Sequence, residues 1–472
     1  MNPAAELTAQ DLRPFARLAK YLPDSFVKEA VELLFLVREY GISKNAAPLA
    51  TSGEYLNFVA QTHDGWKTGQ RRIAALMTTA LTKRAEAKAA RKDCRRRRDK
   101  PGEDAAKQAI GQFDLELKVL QRTLDVILWT IFSGDHSSLR RLFVVGGKHN
   151  LSVQNIADAL PTAEQLNEDP YTIALCTDML SSVHVGDLLV ANRRTGDIAF
   201  VELKAGDKNY GISKAAEFAV LSGCGSFEHI MTANFDETDT KQYERAKRQM
   251  ERNRTILSTI QNEGGRDPNT GAEVRINAVE DPPELWCSEI MSCYERLDDS
   301  KSWAIATVDK CVHVGVYSEQ NIAIGGFKSW MDELKCDSPI YSLSDSFYIP
   351  SSRPLGATFL SLELQTKVLR GETLVIICLD ILRLIEMANQ MRPGLLSLGS
   401  RADSAKMREF RMQTLELNGR LVKISTGCAQ LEFLGGGFRD RVVFDQQRPS
   451  QLIRHHIGSL DLESSGDNGS SR

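Results

Sequence analysis

Large apolar residues recur at Ile110, Phe113, Leu117, Leu120, Leu124, Ile127 and Ile131, three or four positions apart without a break. That spacing puts them on one stripe of a helix and forms a heptad seam. Ile73, Leu76, Ala80, Ala87, Ala90 and Cys94 keep the same rhythm upstream, interrupted only by Lys83. Pro101-Gly102 is the expected break between the two stretches. Folding them antiparallel about that point sets small against large, Ala90 with Phe113 and Ala87 with Leu117, so an antiparallel helical hairpin is predicted within a helical domain over 1–137.

The period then shortens. "HVGDLLVA" and "IAFVELKA" are rich in strand formers and are separated by "NRRTGD", Asn192 to Asp197, which carries the Asn, Gly and Asp of a turn. A hairpin folded between Arg194 and Thr195 sets Val190 opposite Ala199, Leu188 opposite Val201 and Asp187 opposite Glu202. Opposed side chains lie about 4.5 to 5.5 Å apart at Cβ, and alternate residues of a strand share a face. Asp187, Glu202 and Lys204 therefore converge, while Leu188, Val190, Val201 and Leu203 point the other way. The near-continuous runs "VGDLLVA" and "DIAFVEL" predict strands buried on both faces.

Two carboxylates that close repel each other, and desolvation worsens the repulsion unless a positive charge lies between them. A divalent cation answers this. Mg²⁺ is commonly held by one or two carboxylates with water and substrate phosphate, whereas zinc would want Cys or His, and neither stands here at ligand spacing. Lys204, one pleat beyond Glu202, could orient or deprotonate a metal-polarised water and offset phosphate charge. The alternative is a surface hairpin with ordinary solvated charges.

At these residues the sequence resembles the PD-(D/E)xK nuclease superfamily: Gly186-Asp187 before one apolar run, and Glu202-Leu203-Lys204 after the next. The literal Pro-Asp pair is absent, because Gly186 precedes Asp187. The resemblance implies a restriction-endonuclease-like mixed sheet flanked by helices. It also implies Mg²⁺-dependent cleavage of nucleic acid, with Mn²⁺ as a substitute, Asp187 and Glu202 as metal ligands and Lys204 as the catalytic lysine.

"TKQYERAKRQMERNRTILSTIQ", Thr240 to Gln261, has Tyr243, Ala246, Met250, Leu257 and Ile260 at helical spacing and Gln242, Arg245, Gln249 and Arg252 as its polar stripe. A helix after the lysine strand often carries a Gln or a basic residue toward the active site in the superfamily, and this one is similar. Gln can hydrogen-bond the attacking water or a metal-bound carboxylate, and Arg can grip phosphate. Gln242 and Arg245 are the first choices, Gln242 catalytic and Arg245 nucleic-acid-binding, with Gln249 next. A plain solvated face is the alternative.

Seven of the ten residues from Arg91 to Lys100 are basic, the densest positive charge in the chain. Arg95, Arg96, Arg97 and Arg98 at the hairpin tip are candidate phosphate contacts, with a solvated end as the alternative. Over all 472 residues, Lys+Arg 59 against Asp+Glu 62 gives a net charge of -3, so any footprint for a polyanion must be local. Nine scattered Cys without CxxC pairs suggest free thiols and a cytoplasmic location.

Arg140 and Arg141 belong to a short helix leading into the nuclease-like domain, set at 138–320. Asp178 is read as a turn or cap residue, with a place near the metal as the alternative. Gly146-Gly147-Lys148 lacks the Walker spacing. "WAIATVDKCVHVGVY", Trp303 to Tyr317, predicts a second hairpin turning at Asp309-Lys310, one strand of which is a candidate to complete the nuclease sheet. "TLVIICL" and "DILRLIEMANQM" predict a strand and a helix of a C-terminal α+β region over 321–460. "LGGGF" at Leu434 is read as a tight turn, His455-His456 lack partners at ligand spacing, and 461–472 is read as a disordered tail. The expectation is an α/β metal-dependent nuclease, DNA favoured over RNA, of microbial defence or restriction, working as a homo-oligomer or with a partner protein of a defence system. A non-catalytic nucleic-acid-binding or assembly module that keeps the fold is the alternative.

Overall fold

The structure is a computed structural model and describes residues 22–44, 51–142, 151–183, 185–203, 207–223, 225–262, 264–266, 273–275, 282–409, 414–425 and 432–466. It is a mixed α/β architecture with an N-terminal helical region and a C-terminal α+β region. Two compact units divide the chain, one of Met1–Phe35, Glu86–Val126 and Val279–Arg472, the other of Leu36–Ala85 and Ile127–Ala278.

Helices α1 (Asp24–Arg38), α2 (Tyr40–Lys44), α3 (Ser52–Arg97) and α4 (Lys100–Ile131) come first. The break after α3 falls at Arg98, which takes a left-handed φ of 58°, and the Asp99 side chain then accepts the Gly102 N–H at 3.0 Å. Pro101 and Gly102, expected to make the break, sit instead in the first turn of α4. A proline is tolerated there because its missing N–H would have had no intrahelical acceptor. The α4 stripe of Leu117, Leu120, Leu124, Ile127 and Ile131 is buried as its spacing predicts. The seam gives no sign of the buried pair beside it: Arg122 and Asp125, 1% and 0% exposed, meet at 2.8 Å, and Arg122 Nη2 also donates to the Ser352 carbonyl at 2.5 Å. Such a pair needs these extra bonds to offset its desolvation.

Helix α5 (His136–Leu142), which holds Arg140 and Arg141 as expected, and α6 (Val153–Leu166) lead to an antiparallel sheet of β1 (Thr172–Cys176), β2 (Leu188–Asn192) and β3 (Ile198–Val201), in that order. Strand β1 is buried at every position. Side chains cover its outer edge. Asn167 Oδ1 accepts the Ala174 N–H at 2.7 Å, Gln70 Oε1 accepts the Cys176 N–H at 3.1 Å, and Gln70 Nε2 donates to the Ala174 carbonyl at 2.9 Å. A strand edge closed this way offers no ladder to another chain.

The unit continues with α7 (Asp207–Ser222), α8 (Gly225–Thr232) and α9 (Glu237–Gln261), then a short pair, β4 (Gly264–Arg266) and β5 (Glu273–Arg275). Tyr243 and Ala246 of α9 pack on Ile212, Ala215, Ala216 and Ala219 of α7 as the spacing predicts, whereas further along the helix Ile256 and Thr259 are the buried residues and Leu257 and Ile260 are half-buried.

The C-terminal region comprises α10 (Cys287–Glu295), β6 (Trp303–Val308), β7 (Val312–Tyr317), α11 (Gln320–Glu333), β8 (Ile340–Ser342), α12 (Leu362–Arg370), β9 (Leu374–Leu379) and α13 (Ile381–Met391). It goes on through β10 (Leu396–Leu398), α14 (Arg401–Glu409), β11 (Glu416–Leu417), β12 (Arg420–Ile424), β13 (Glu432–Phe433), α15 (Gly436–Val443) and α16 (Pro449–Gly466). The second hairpin forms as predicted: Asp309 and Lys310, at φ 47° and 59°, are the left-handed central residues of a turn that the Cys311 N–H closes on the Val308 carbonyl at 3.0 Å, and Val308 pairs with Val312 across it. Its strands do not complete the first sheet. They belong to a separate one, ordered β6-β7-β9-β8, in which β7 pairs with β9 along its whole length, Val314 opposite Ile377. Apolar cores on both faces of β7 and β9 fix that choice. "LGGGF" is not a tight turn: Gly435 caps α15 and Gly436 begins it. Nor is the segment after 460 wholly a tail, since α16 runs to Gly466. Among the described residues no helix is long and apolar enough to cross a membrane.

Candidate active site

Val190 lies opposite Ala199 and Leu188 opposite Val201, as the sequence predicts, but the pairing stops there and does not include the expected pair of Asp187 and Glu202. Asn192 makes the turn, its side-chain oxygen accepting the N–H groups of Arg194 and Thr195 at 2.9 and 3.2 Å, while Gly196 takes a φ of 78°. Burial differs from expectation. Strand β2 is largely buried, but β3 is half-buried throughout with Ala199 exposed, because it is the edge strand and lacks a partner on one side among the described residues.

The ladder ends where the acidic residues begin. Asp187 donates its N–H to the Val201 carbonyl at 2.9 Å, and its own carbonyl accepts the Thr177 N–H at 3.0 Å. Its side chain then does what a backbone carbonyl would do further along the strand: Oδ2 accepts the Leu203 N–H at 2.6 Å. Asp187 is thereby fixed against the segment that carries Glu202. The residue before it, Gly186, has a φ of +68°, which proline, held near −65°, cannot adopt. A Cβ there would also come within 3.1 Å of Phe200 Cβ.

Glu202 follows β3 and is half-buried. Gln249 of α9 donates its Nε2 to Glu202 Oε1 at 2.5 Å. Gln249 is the member of the polar stripe that meets the end of β3. Gln242, the first choice from sequence, lies seven residues away on the same stripe, about 10 Å along the axis at a rise of about 1.5 Å per residue. Arg245, one turn from Gln249, is exposed. Lys204 lies outside the described residues, as does Gly146-Gly147-Lys148.

Further acidic groups surround the start of β2. Cys176 closes β1 opposite Leu188 and is fully buried. Burial pushes its thiol up to about 12, helped by the negative charges of Asp178, Glu164 and Asp187. Asp178 sits in a single helical turn after β1 and accepts a hydrogen bond from Asn155 of α6 at 2.5 Å, a positioning bond of the kind a turn residue makes. Strand β1 was not read from the sequence, although "YTIALC" after Asp169-Pro170 is itself a run of strand formers.

The basic tip lies in the other unit. Arg96 and Arg97 share Asp93 at 2.9 and 2.8 Å, and Arg91 and Arg95 share Glu103 at 3.6 Å each. Arg95 to Arg98 are all exposed, so these bonds are weak and open to exchange for phosphate. His455 and His456 lie on α16, and among the described residues no group of three or more His, Cys, Asp or Glu is arranged to hold a metal ion. No family model, no curated protein and no solved structure matches the chain.

Proposed function

We propose that the protein is a metal-dependent nuclease with a restriction-endonuclease-like domain, hydrolysing phosphodiester bonds of a nucleic acid, DNA in preference to RNA. The observation that supports this most is the anchoring of both carboxylates at the ends of paired strands, Asp187 by the Leu203 N–H and Glu202 by the Gln249 amide. Ionisable side chains that are merely solvated do not call for such fixing.

The residues fit Mg²⁺ or Mn²⁺. Mg²⁺ commonly takes only one or two carboxylates and fills its octahedron with water and phosphate, so a third protein ligand is not required. A carboxylate offers about four lone-pair sites, so an N–H bond to one oxygen leaves capacity for an ion. When bound, the ion would polarise a phosphoryl oxygen and make its water more acidic.

Asp187 and Glu202 hold the ion in this reading. Gln249 orients Glu202, and its amide can do so without adding charge. Lys204 holds the attacking water and accommodates its loss of a proton. Arg245, exposed on the same helix face, takes a phosphate beside the reacting one. Arg95 to Arg98 add sequence-independent backbone contacts. A role in microbial defence or restriction rests on analogy with where such folds serve. The test is Asp187→Ala and Glu202→Ala: each should abolish Mg²⁺-dependent cleavage while leaving the circular-dichroism spectrum and cooperative melting intact. Full activity in either variant removes the assignment.

A further inference from the structure

Two thiols meet inside the C-terminal α+β region. Cys378 lies on β9, opposite His313 of β7 on one side and Ile340 of β8 on the other. Cys336 follows α11, where Lys335 takes a φ of 54° and Cys336 donates its N–H to the Met331 carbonyl at 2.9 Å. The Sγ atoms are 3.6 Å apart and unbonded. Cys378 is 0% exposed; Cys336 is 8% exposed and lies between two exposed residues, Lys335 and Asp337. One sulfur is thus shielded, and the other is one residue from solvent on either side.

The surroundings are polar. Asp380, which caps α13 by accepting the Leu382 and Arg383 N–H groups at 3.0 and 3.1 Å, lies 3.8 Å from His313 Nε2. His313 Nδ1 is 3.1 Å from Thr307 Oγ1. Neither these groups nor any other set of three or more His, Cys, Asp or Glu among the described residues is arranged to hold a metal ion. The chemistry left to the pair is that of a dithiol.

We propose that Cys336 and Cys378 are a redox pair that closes to a reversible disulfide on reaction with a hydroperoxide, tying the end of α11 to the inner strand β9. The two sulfurs differ in the way the reaction needs. The hydrogen-bonding contact between the two sulfurs draws the Cys336 thiol down to about 7, and that same contact, together with burial, pushes Cys378 up. Cys176, Cys287, Cys293 and Cys311 are all pushed up by burial. Cys336 therefore supplies thiolate near neutral pH, and thiolate is the nucleophile.

The Cys336 thiolate attacks one peroxide oxygen; an S–O bond forms, the O–O bond breaks, and the departing hydroxide or alkoxide takes a proton. Cys336 is then a sulfenic acid. The Cys378 sulfur attacks it; the S–S bond forms, the S–O bond breaks, and the leaving hydroxide takes the Cys378 proton as water. For hydrogen peroxide the sum is two thiols and one peroxide to one disulfide and two waters, with two electrons passing from sulfur to oxygen. The sulfurs have roughly 1.5 Å to close before reaching the bond length of about 2.05 Å, and Cys336, on a loop, is the one free to move.

The full chain, reduced and freed of reductant, is titrated with hydrogen peroxide and mapped by mass spectrometry without reduction. The expected product is a peptide pair linked through Cys336 and Cys378, two hydrogens lighter than its parts, forming before the other cysteines are modified and lost on adding dithiothreitol. In C378S, Cys336 should accumulate as a sulfenic acid labelled by dimedone; should that variant not fold, the wild-type map decides alone. Oxidation of other cysteines first, conversion of Cys336 to sulfinic acid without the link, or tightly held zinc that blocks both thiols in the purified protein would each overturn the proposal.

Discussion

Gln249→Leu removes the amide that fixes Glu202 and keeps a side chain of similar size on α9. A hydrogen bond to a charged group contributes about 1.5 to 3 kcal/mol when shielded, but Gln249 and Glu202 are both half-buried, so water replaces part of it and the net loss of stability should be about 1 kcal/mol. Activity should suffer more than stability. Partners that orient a metal-binding carboxylate typically contribute about 10- to 100-fold in affinity or rate. Single-turnover cleavage across a Mg²⁺ titration should therefore show the variant needing more metal and cutting more slowly at saturation. A double-mutant cycle in urea with Glu202→Ala isolates the contact without relying on turnover, and its coupling energy should fall within about 0.5 to 3 kcal/mol. Additivity of Gln249→Leu and Glu202→Ala within about 0.3 kcal/mol, together with wild-type cleavage at every metal concentration, would refute the positioning role.

Lys204→Met should leave nucleic-acid binding nearly unchanged and slow cleavage by about 10² to 10⁴, as loss of a proton-handling group does; wild-type cleavage would make Lys204 a solvated residue. Changing Arg95 to Arg98 together to Gln should flatten the salt dependence of affinity on duplex DNA by about 0.9 for each phosphate that is no longer neutralised, and an unchanged slope would mean the tip only solvates the hairpin. His63 is 1% exposed and its imidazole falls from 6.5 to about 4, chiefly through burial and then through Lys67. Its folded value is depressed, so the stability it contributes is complete above pH 6.5 and is lost as pH falls toward 4. The total is about 3 kcal/mol, which melts between pH 7.5 and 4 should register and His63→Gln should largely flatten.

Legibility followed how local each determinant is. The β2–β3 register could be read because one turn, Asn192 to Asp197, fixes it, and the 303–317 hairpin for the same reason at Asp309-Lys310. The apolar faces of α4 and of the first half of α9 follow from their own spacing. What could not be read depends on partners distant in sequence. Nothing in "WAIATVDKCVHVGVY" says that its second strand pairs with 374–379 rather than with the first sheet. Periodicity gives Gln242 and Gln249 the same face, and only the height at which α9 packs selects Gln249. Strand β3 resembles a buried strand in composition, yet its place at the sheet edge leaves it half-exposed. The basic tip has the charge the sequence promises, but Asp93 and Glu103 answer part of it.

We propose that Asp187 and Glu202 hold a catalytic divalent ion. It is tested most directly by incubating the purified chain and its Glu202→Gln variant with plasmid, linear duplex, single-stranded DNA and RNA, each with Mg²⁺ and with EDTA. Substituting the amide keeps the size of the side chain and removes the charge. The wild-type chain should cleave with Mg²⁺ and not with EDTA, and the variant should lose orders of magnitude in rate. Tight binding of one of these nucleic acids without any cleavage would favour a non-catalytic module instead, and equal cleavage by both chains, or cleavage that persists in EDTA, would contradict the account.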